Sequence, residues 1–334
     1  MGFKKWPIKF NKESFSYKSF FEFMHTFRKK IFLKKQSSSQ IEQHSIEKTH
    51  PWYSVLWLTG VDYFSTLAYQ PGIALLFIGV LSPFATLLLV FVTLFGAVPV
   101  YFQVVKRSFS GQGSIALLEK QLHGWIGKMI VLMLIGFAAT DFFITITLSS
   151  SDAAAHLTEN PFLNPYLSGH NFLVTVLLVL ALSLVFLKGF KEAISLAIFS
   201  SLPYLILTFI IICFCSIEIY TQPEHLKKWL SSPVFYLDWR GIFILSALAF
   251  PKLALGLSGF ETGVSVTPLI KNDQTKDNIP VGRILGTKKL LITAALIMSF
   301  FLMTSSIVTS ILLKKQQVMP GGEAADRALS FLAH

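Results

Sequence analysis

The sequence predicts an all-α polytopic membrane protein, because of its composition, its apolar runs and an internal repeat. Hydrophobic residues make up 53% of the 334 and charged residues only 14%. That is more apolar surface than one soluble core can bury. Runs of about 20 apolar residues, the length that crosses a bilayer as a helix, recur along the chain. A motif of a hydroxyl residue, a glycine, an apolar residue and an acid occurs in two of these runs.

Seven apolar runs are expected to span the membrane. The first two are separated only near Ser82 and Pro83, which predicts a tight hairpin. The runs cover residues 52–81, 83–105, 125–150, 171–188, 192–217, 241–269 and 289–313. The predicted organisation is a basic N-terminal tail (1–50), a first five-helix repeat (51–217) and the start of a second repeat (218–334).

The net charge of +11 follows the pattern of membrane topology rather than that of a nucleic-acid-binding surface. Most of the 29 Lys and Arg lie in the tail and in alternate loops, although Lys227 and Lys228 fall on the opposite side. Cytoplasmic loops carry the excess of basic residues. We therefore expect a multi-pass protein of the plasma (inner) membrane with a cytoplasmic N-terminus and no nucleic-acid partner.

Within the tail, Phe20, Phe23, Phe27 and Ile31 recur at helical spacing and are followed by a cluster of Lys and Arg. This pattern predicts an amphipathic helix lying on anionic lipid. A basic tail without a stable helix is the alternative interpretation.

The internal repeat pairs residues 59–62 (TGVD) of the first span with residues 258–261 (SGFE) of the sixth. Each copy is followed by a proline, Pro71 or Pro268. Because five spans separate the two copies, the second enters the membrane from the opposite side. That arrangement is the inverted repeat of many secondary transporters.

Asp62 lies between Gly60 and Pro71, and charged groups inside a bilayer normally face a cavity or a partner. Proline removes an amide and glycine tolerates unusual backbone angles, so we expect the first helix to be broken here. Its freed carbonyls, the Asp62 carboxylate and nearby hydroxyls would then bind a monovalent cation or an ammonium group. The glycines around Glu261 predict a matching break in the sixth span.

In the third span Asp141, Thr145, Ser149 and Asp152 share one helical face and predict a polar pathway. Helix-to-helix hydrogen bonding is the alternative for this seam. A purely structural interpretation of the acids, in which Lys252 neutralises one and the others cap helices, also remains open. The candidate substrate-binding residues are Gly60, Asp62, Ser65, Thr66, Tyr69, Asp141, Thr145, Ser258 and Gly259.

Glu261 is the candidate proton carrier, because burial favours the neutral form of a carboxyl group. Exchanging its role with that of Asp62 violates nothing in the sequence. Gly111 and Gly113 match neither a phosphate loop nor a dinucleotide fingerprint. No nucleophile with its base and no metal-ligand spacing is present. We therefore expect no enzyme, no metal and no cofactor beyond a coupling ion.

These residues resemble the amino acid-polyamine-organocation (APC) transporter superfamily. Asp62-x-x-Ser65-Thr66-x-Ala68-Tyr69 is similar to the D-x-x-S-[ST]-x-A-Y segment of its amino acid permease-like and KUP-type potassium-uptake members. Residues 141–149 are similar to their D-[FY]-x-[LI]-T-x-x-x-S run, and residues 258–261 resemble the S-G-x-E of their sixth helix. The resemblance covers about residues 51–334.

The resemblance implies a five-plus-five inverted-repeat, LeuT/APC-like fold with broken helices 1 and 6, alternating access and coupling to protons or sodium. In the potassium-importing relatives the residues matching Asp62 and Tyr69 help to coordinate the ion, and the one matching Glu261 is linked to protons. An acid at position 62 favours a cation or cationic amine over a simple zwitterion. Whether the substrate is an amino acid or potassium stays open.

The fold has ten core spans, whereas seven are predicted here. We therefore expect a C-terminally truncated fragment, or a chain that a second polypeptide or a homodimeric partner completes. A non-transporting remnant, scaffold or receptor that keeps half of the fold is the alternative function.

Overall fold

The computed structural model describes residues 49–160, 162–188, 190–236, 238–276, 279–325 and 327–333. The amphipathic helix expected in the N-terminal tail lies outside the described residues. Residues 49–334 form one compact unit. Its described part is 84% helical and contains no β-strand, which confirms the all-α class.

Helices occupy all seven predicted spans. The first hairpin consists of α1 (Trp52–Ile78), a 3-10 turn (Gly79–Leu81), α2 (Ser82–Phe91), a π-helical turn (Val92–Ala97) and α3 (Val98–Arg107). The middle of the chain contains α4 (Gly113–Gln121), α5 (Gly124–Glu159), α6 (Asn164–Leu167), α7 (Asn171–Lys188), α8 (Phe190–Thr221) and α9 (Pro223–Leu230). The last part contains α10 (Trp239–Leu253), α11 (Ser258–Ser265), α12 (Val281–Leu312), α13 (Lys315–Val318) and α14 (Ala328–Phe331).

Four helical stretches of the described chain are long and apolar enough to cross a membrane, which indicates a membrane protein. They are Trp52–Arg107, Gly124–Glu159, Ala193–Thr221 and Val281–Leu312, and Asn171–Val185 is a shorter apolar helix. The stretch Trp52–Arg107 contains 56 residues and turns back at residues 79–81. That turn agrees with the predicted tight hairpin.

The core is built around α12, which packs against α1, α2, α3 and α8. In the most apolar 18-residue stretch of α12, 56% of the residues are buried, compared with 11% in the corresponding stretch of α5. Small hydroxyl residues let α12 lie close to its neighbours, as in other membrane helix contacts. Thr86 on α2, for example, donates a 3.0 Å hydrogen bond to Oγ of Ser306. By contrast, α5 exposes large apolar side chains such as Trp125, Met129 and Phe143, as a lipid-facing helix does.

The prediction of a break in the first helix is wrong. Residues Trp52–Ile78 form one continuous α-helix with Pro71 inside it. The hydroxyls of Ser65 and Thr66 donate to the carbonyls of Asp62 and Tyr63 within the same helix. A single proline removes one amide but need not interrupt a membrane helix whose neighbours pack against it.

The sixth span is not one continuous α-helix, although the residues directly around Glu261 are helical. A 3-10 turn, Ala254–Leu257, separates α10 from α11, and a second one, Thr267–Leu269, follows α11 closely. Pro251 lies near the end of α10 and removes an amide there. The result is an eight-residue helix, α11, with a tighter turn on either side.

Candidate functional site

The short helix α11 lies directly against α1, because glycines replace side chains at the contact. A Cβ atom at Gly259 would lie 2.8 Å from the ring of Tyr63, and one at Gly263 would lie 3.3 Å from the hydroxyl of Tyr63. No larger residue fits at Gly259 without moving the buried tyrosine. The [ST]-G pattern that marked the repeat in the sequence therefore serves helix packing at position 259.

Three aromatic rings fix the orientation of α11. Phe260 is fully buried between Tyr63, which meets it edge-on at 5.3 Å, and Tyr101 of α3, which stacks on it at 5.5 Å. Such pairs add to the apolar burial of each ring. With Phe260 held on this side, the next two side chains of α11 point in different directions.

Thr262 points towards α1 and donates a 2.8 Å hydrogen bond to Oδ2 of Asp62. The two residues are 200 positions apart in the chain. Thr262 is a site residue that the sequence interpretation missed. The signal was present, because a hydroxyl follows directly after the S-G-F-E motif, but its direction depends on how α11 packs.

Asp62 and Thr262 line a cavity of about 640 Å³. Of the predicted site residues, Asp62, Ser65 and Thr145 line it. Its wall is mainly apolar but includes seven hydroxyl residues and one acid, and a mainly apolar wall with a few convergent polar groups is typical of small-molecule sites. No Lys or Arg is among the described lining residues. The lining comes from α1 (Leu58, Val61, Asp62, Ser65), α5 (Phe142, Thr145, Ile146, Ser149, Ser150), α7 (Val179, Leu182, Ser183, Val185), α8 (Ala193, Leu196, Ala197, Ser200) and α11 (Thr262).

The polar seam predicted on the third span enters this cavity. Thr145 and Ser149 line it, and neither hydroxyl has a hydrogen-bond partner among the described residues. Farther along α5, Oδ1 of Asp152 is also buried without a partner in this part of the structure. Buried polar atoms without partners are rare in native proteins and call for an explanation such as water or a bound ion. The seam thus supplies acceptor atoms that the protein leaves unused.

Tyr69 belongs to the same polar region although it does not line the cavity. Its side chain is 7% exposed and its hydroxyl has no partner in the described chain. It lies within electrostatic range of Asp62, Asp141 and Asp152. The predicted residues of the first and third spans are therefore neighbours in the structure.

Other predicted residues lie elsewhere. Gly60 is buried against the ring of Phe64, where a Cβ would lie 2.6 Å from Cε2 of that ring. Thr66 is fully buried and bonds to its own helix. Asp141 is half-buried and outside the cavity lining. The side chain of Ser258 is not among those described.

Glu261 points away from Asp62, towards the segment between α3 and α5. The backbone N–H and the hydroxyl of Ser114 each donate a 2.8 Å hydrogen bond to its carboxylate. Tyr101 hydrogen-bonds the same group. The two acids that the sequence linked as a pair of sites thus occupy opposite sides of α11, and Ser114 is a second residue that the sequence interpretation missed.

Among the described residues, Lys252 forms no ion pair with an acid. Its Nζ lies 3.4 Å from the centroid of the Phe77 ring, a cation–π contact. The structural interpretation in which Lys252 balances one of the intramembrane acids therefore finds no support in this contact.

Comparison of the sequence with models of known protein families and with curated proteins finds no match.

Proposed function

We propose that this protein is a secondary transporter of the APC kind, which carries a small molecule with a protonated amino group across the membrane by alternating access. The observation that carries the proposal is the cavity of about 640 Å³ with the carboxylate of Asp62 in its wall and no basic residue among the lining residues that the structure describes. An acid inside a membrane domain attracts a cation, and apolar walls strengthen that attraction.

The volume favours an amino acid or an amine over a bare potassium ion. Cavities of about 300 to 1,000 Å³ suit small organic ligands, and this one falls within that range. A dehydrated ion instead needs a tight cage of oxygens. The hydroxyls of Thr145 and Ser149, which have no partner among the described residues, nevertheless supply hard oxygen atoms of the kind that potassium accepts, so potassium is the second candidate.

The broken sixth span supports the alternating-access part of the proposal. Short helices beside broken segments form the binding sites of many secondary transporters. In the proposed topology the seven apolar helices cross the membrane, the N-terminus is cytoplasmic and α11 contributes Thr262 to the substrate site. Glu261, the proposed proton carrier, contacts Ser114 on the other side of α11 and is therefore separate from the substrate site.

Uptake into vesicles tests this function. The protein is reconstituted into liposomes together with any polypeptide that completes the expected ten-span fold, a proton gradient is imposed, and uptake of labelled basic and neutral amino acids and of rubidium, as a potassium tracer, is measured. We expect amino acid uptake that falls at least tenfold in Asp62→Asn, because hydrogen bonds to a charged group contribute about 1.5–3 kcal/mol. Asp273→Asn is the matched control, because Asp273 pairs with Lys271 at the surface.

Each contrary outcome selects an alternative. Rubidium uptake without amino acid uptake selects potassium as the substrate. Binding of amino acids without uptake of any tracer selects the non-transporting receptor or scaffold. Equal uptake in the parent and in Asp62→Asn rules out Asp62 as the substrate ligand.

A further inference from the structure

Residues 111–114 lie against α11. They complete the connection from α3 and form the start of α4, and they are called here the 111–114 turn. We propose that it is a latch that holds α11 in place, with Ser114 as the positioning residue for Glu261. The proposal deepens the proposed function and rests on it in one respect, namely that movement of α11 is the step that opens the site.

The latch contact has two hydrogen bonds to one carboxylate. Ser114 donates from its backbone N–H to Oε1 of Glu261 and from its hydroxyl to Oε2, both at 2.8 Å. Bonds to a charged acceptor are about twice as strong as neutral ones. The N–H of Ser114 is one of those at the start of α4 that lack a partner within the helix. Glu261 therefore caps α4 from another segment, 147 residues away.

Two glycines allow the turn to approach this closely. Gly113 has a φ of +76°, and a Cβ there would collide with Oε1 of Glu261. Gly111 has a φ of +77°, and a Cβ there would lie 2.7 Å from both Cδ of Pro268 and the carbonyl oxygen of Ser265. Any other residue at either position would meet both the strain of positive φ and a clash. Gly111 and Gly113, which match no phosphate loop, therefore allow close contact with α11 and with the turn after it.

The form of α11 explains why a latch is needed. It has eight residues and a 3-10 turn near each end, and such turns have weaker hydrogen-bond geometry than an α-helix. Its packing against α1 depends on small residues and on one hydrogen bond from Thr262. Because Glu261 and Thr262 are adjacent and point to opposite sides, the contacts with Ser114 and Asp62 hold α11 from two sides, and loss of the first leaves α11 less firmly attached. The latch therefore holds the substrate side of α11 from the opposite side.

A buried cysteine on α11 tests the latch without any transport measurement. Val264 is fully buried, so Val264→Cys in a background with Cys213→Ser and Cys215→Ser reacts with a small maleimide only when α11 lifts. We expect about tenfold faster labelling in Ser114→Ala and in Gly113→Ala, since each weakens the contact with a charged group. Ser114→Thr keeps the hydroxyl and should label at close to the parent rate.

Gly169→Ala is the matched control for Gly113→Ala. Gly169 has a φ of +78°, almost the same as Gly113, but a Cβ there would contact nothing within 4 Å. Labelling that stays at the parent rate in Gly169→Ala and rises in Gly113→Ala supports the latch. Equal acceleration in both glycine variants attributes the effect to backbone strain and overturns it, as does a parent rate in Ser114→Ala.

Hydrogen exchange of residues 258–265 in Ser114→Ala and the parent, measured by mass spectrometry without the cysteine reporter, gives a second measurement should Val264→Cys misfold. Faster exchange in Ser114→Ala supports the latch, and equal exchange overturns it. If the latch variants behave as expected but no substrate is transported, the proposed function fails while the latch stands. If transport occurs but labelling is unaffected in the latch variants, the proposed function stands and the latch fails.

Discussion

The hydroxyl of Thr262 donates a 2.8 Å hydrogen bond to Oδ2 of Asp62, which joins the short helix α11 to the middle of α1. This bond orients the carboxylate that faces the cavity. Since one member belongs to the first span and the other to the sixth, any separation of the two helices removes a hydrogen bond from the carboxylate. Substrate affinity and the closed position of α11 are therefore expected to depend on the same bond.

Thr262→Val keeps the shape of the side chain and removes this bond. We expect the affinity for a cationic substrate to fall about tenfold, because the carboxylate loses a charge-assisted hydrogen bond. Thr147→Val is the control, since Thr147 is exposed and bonds to its own helix. Binding measured by calorimetry in detergent checks the prediction. Equal losses in both variants would mean that the effect comes from helix propensity rather than from Asp62.

Tyr69→Phe removes a buried hydroxyl that has no partner in the described chain. An unsatisfied buried polar group costs about 1–3 kcal/mol, so we expect a higher melting temperature without substrate. If the hydroxyl contacts the substrate or a coupling ion, the same variant should bind more weakly. Tyr166→Phe, at a site 81% exposed, should change neither quantity. A lower melting temperature in Tyr69→Phe would show that the hydroxyl already stabilises the fold.

Gly259→Ala should destabilise the protein, and Gly136→Ala should not. Both glycines lie in helices, but a Cβ at Gly259 would press on the ring of Tyr63, whereas one at Gly136 would meet nothing within 4 Å. Overpacking costs about 1–3 kcal/mol, while alanine at an open helical position is neutral or slightly stabilising. Thermal unfolding of the purified variants, followed by tryptophan fluorescence, measures both. A similar change in the two variants would contradict the close contact of α11 with α1.

Glu159→Gln should expose Arg327 to trypsin. Arg327 forms an ion pair with Glu159 and also donates a 3.1 Å hydrogen bond to the backbone carbonyl of Glu323. A partly exposed pair contributes at most about 1 kcal/mol, so cleavage after Arg327 should become up to about fivefold faster. Glu323→Gln is the control, because only the backbone of Glu323 is used. Limited proteolysis with mass spectrometry gives both rates, and an unchanged rate in Glu159→Gln would show that the pair does not hold the segment.

The sequence predicted the helices well because membrane spans need long apolar runs, which are read directly from composition. It also predicted an interruption of the sixth span from the glycines around Glu261, and the 3-10 turn at Ala254–Leu257 contains one of them, Gly256. It failed at the first span because Gly60 and Pro71 together were treated as an interruption. Whether a proline breaks a membrane helix depends on the neighbours packed around it, and those cannot be read from the local sequence.

The candidate site was predicted only in part, for a similar reason. Asp62, Ser65 and Thr145 meet at the cavity, as the polar positions of the spans suggested. Thr262 and Ser114 were missed because their roles depend on which way α11 faces, and that direction is set by the packing of Phe260 between two tyrosines. Glu261 was predicted as the counterpart of Asp62, but the rotation between adjacent helical residues turns it to the other side.

The central position of α12 has a consequence for synthesis. A membrane protein is inserted helix by helix as it leaves the ribosome, yet the helix that α1, α2, α3 and α8 all pack against is encoded at residues 281–312. The earlier helices must therefore remain in the bilayer with their shared surface uncovered until α12 arrives. During that interval the surface is open to contacts with lipid or with other membrane proteins.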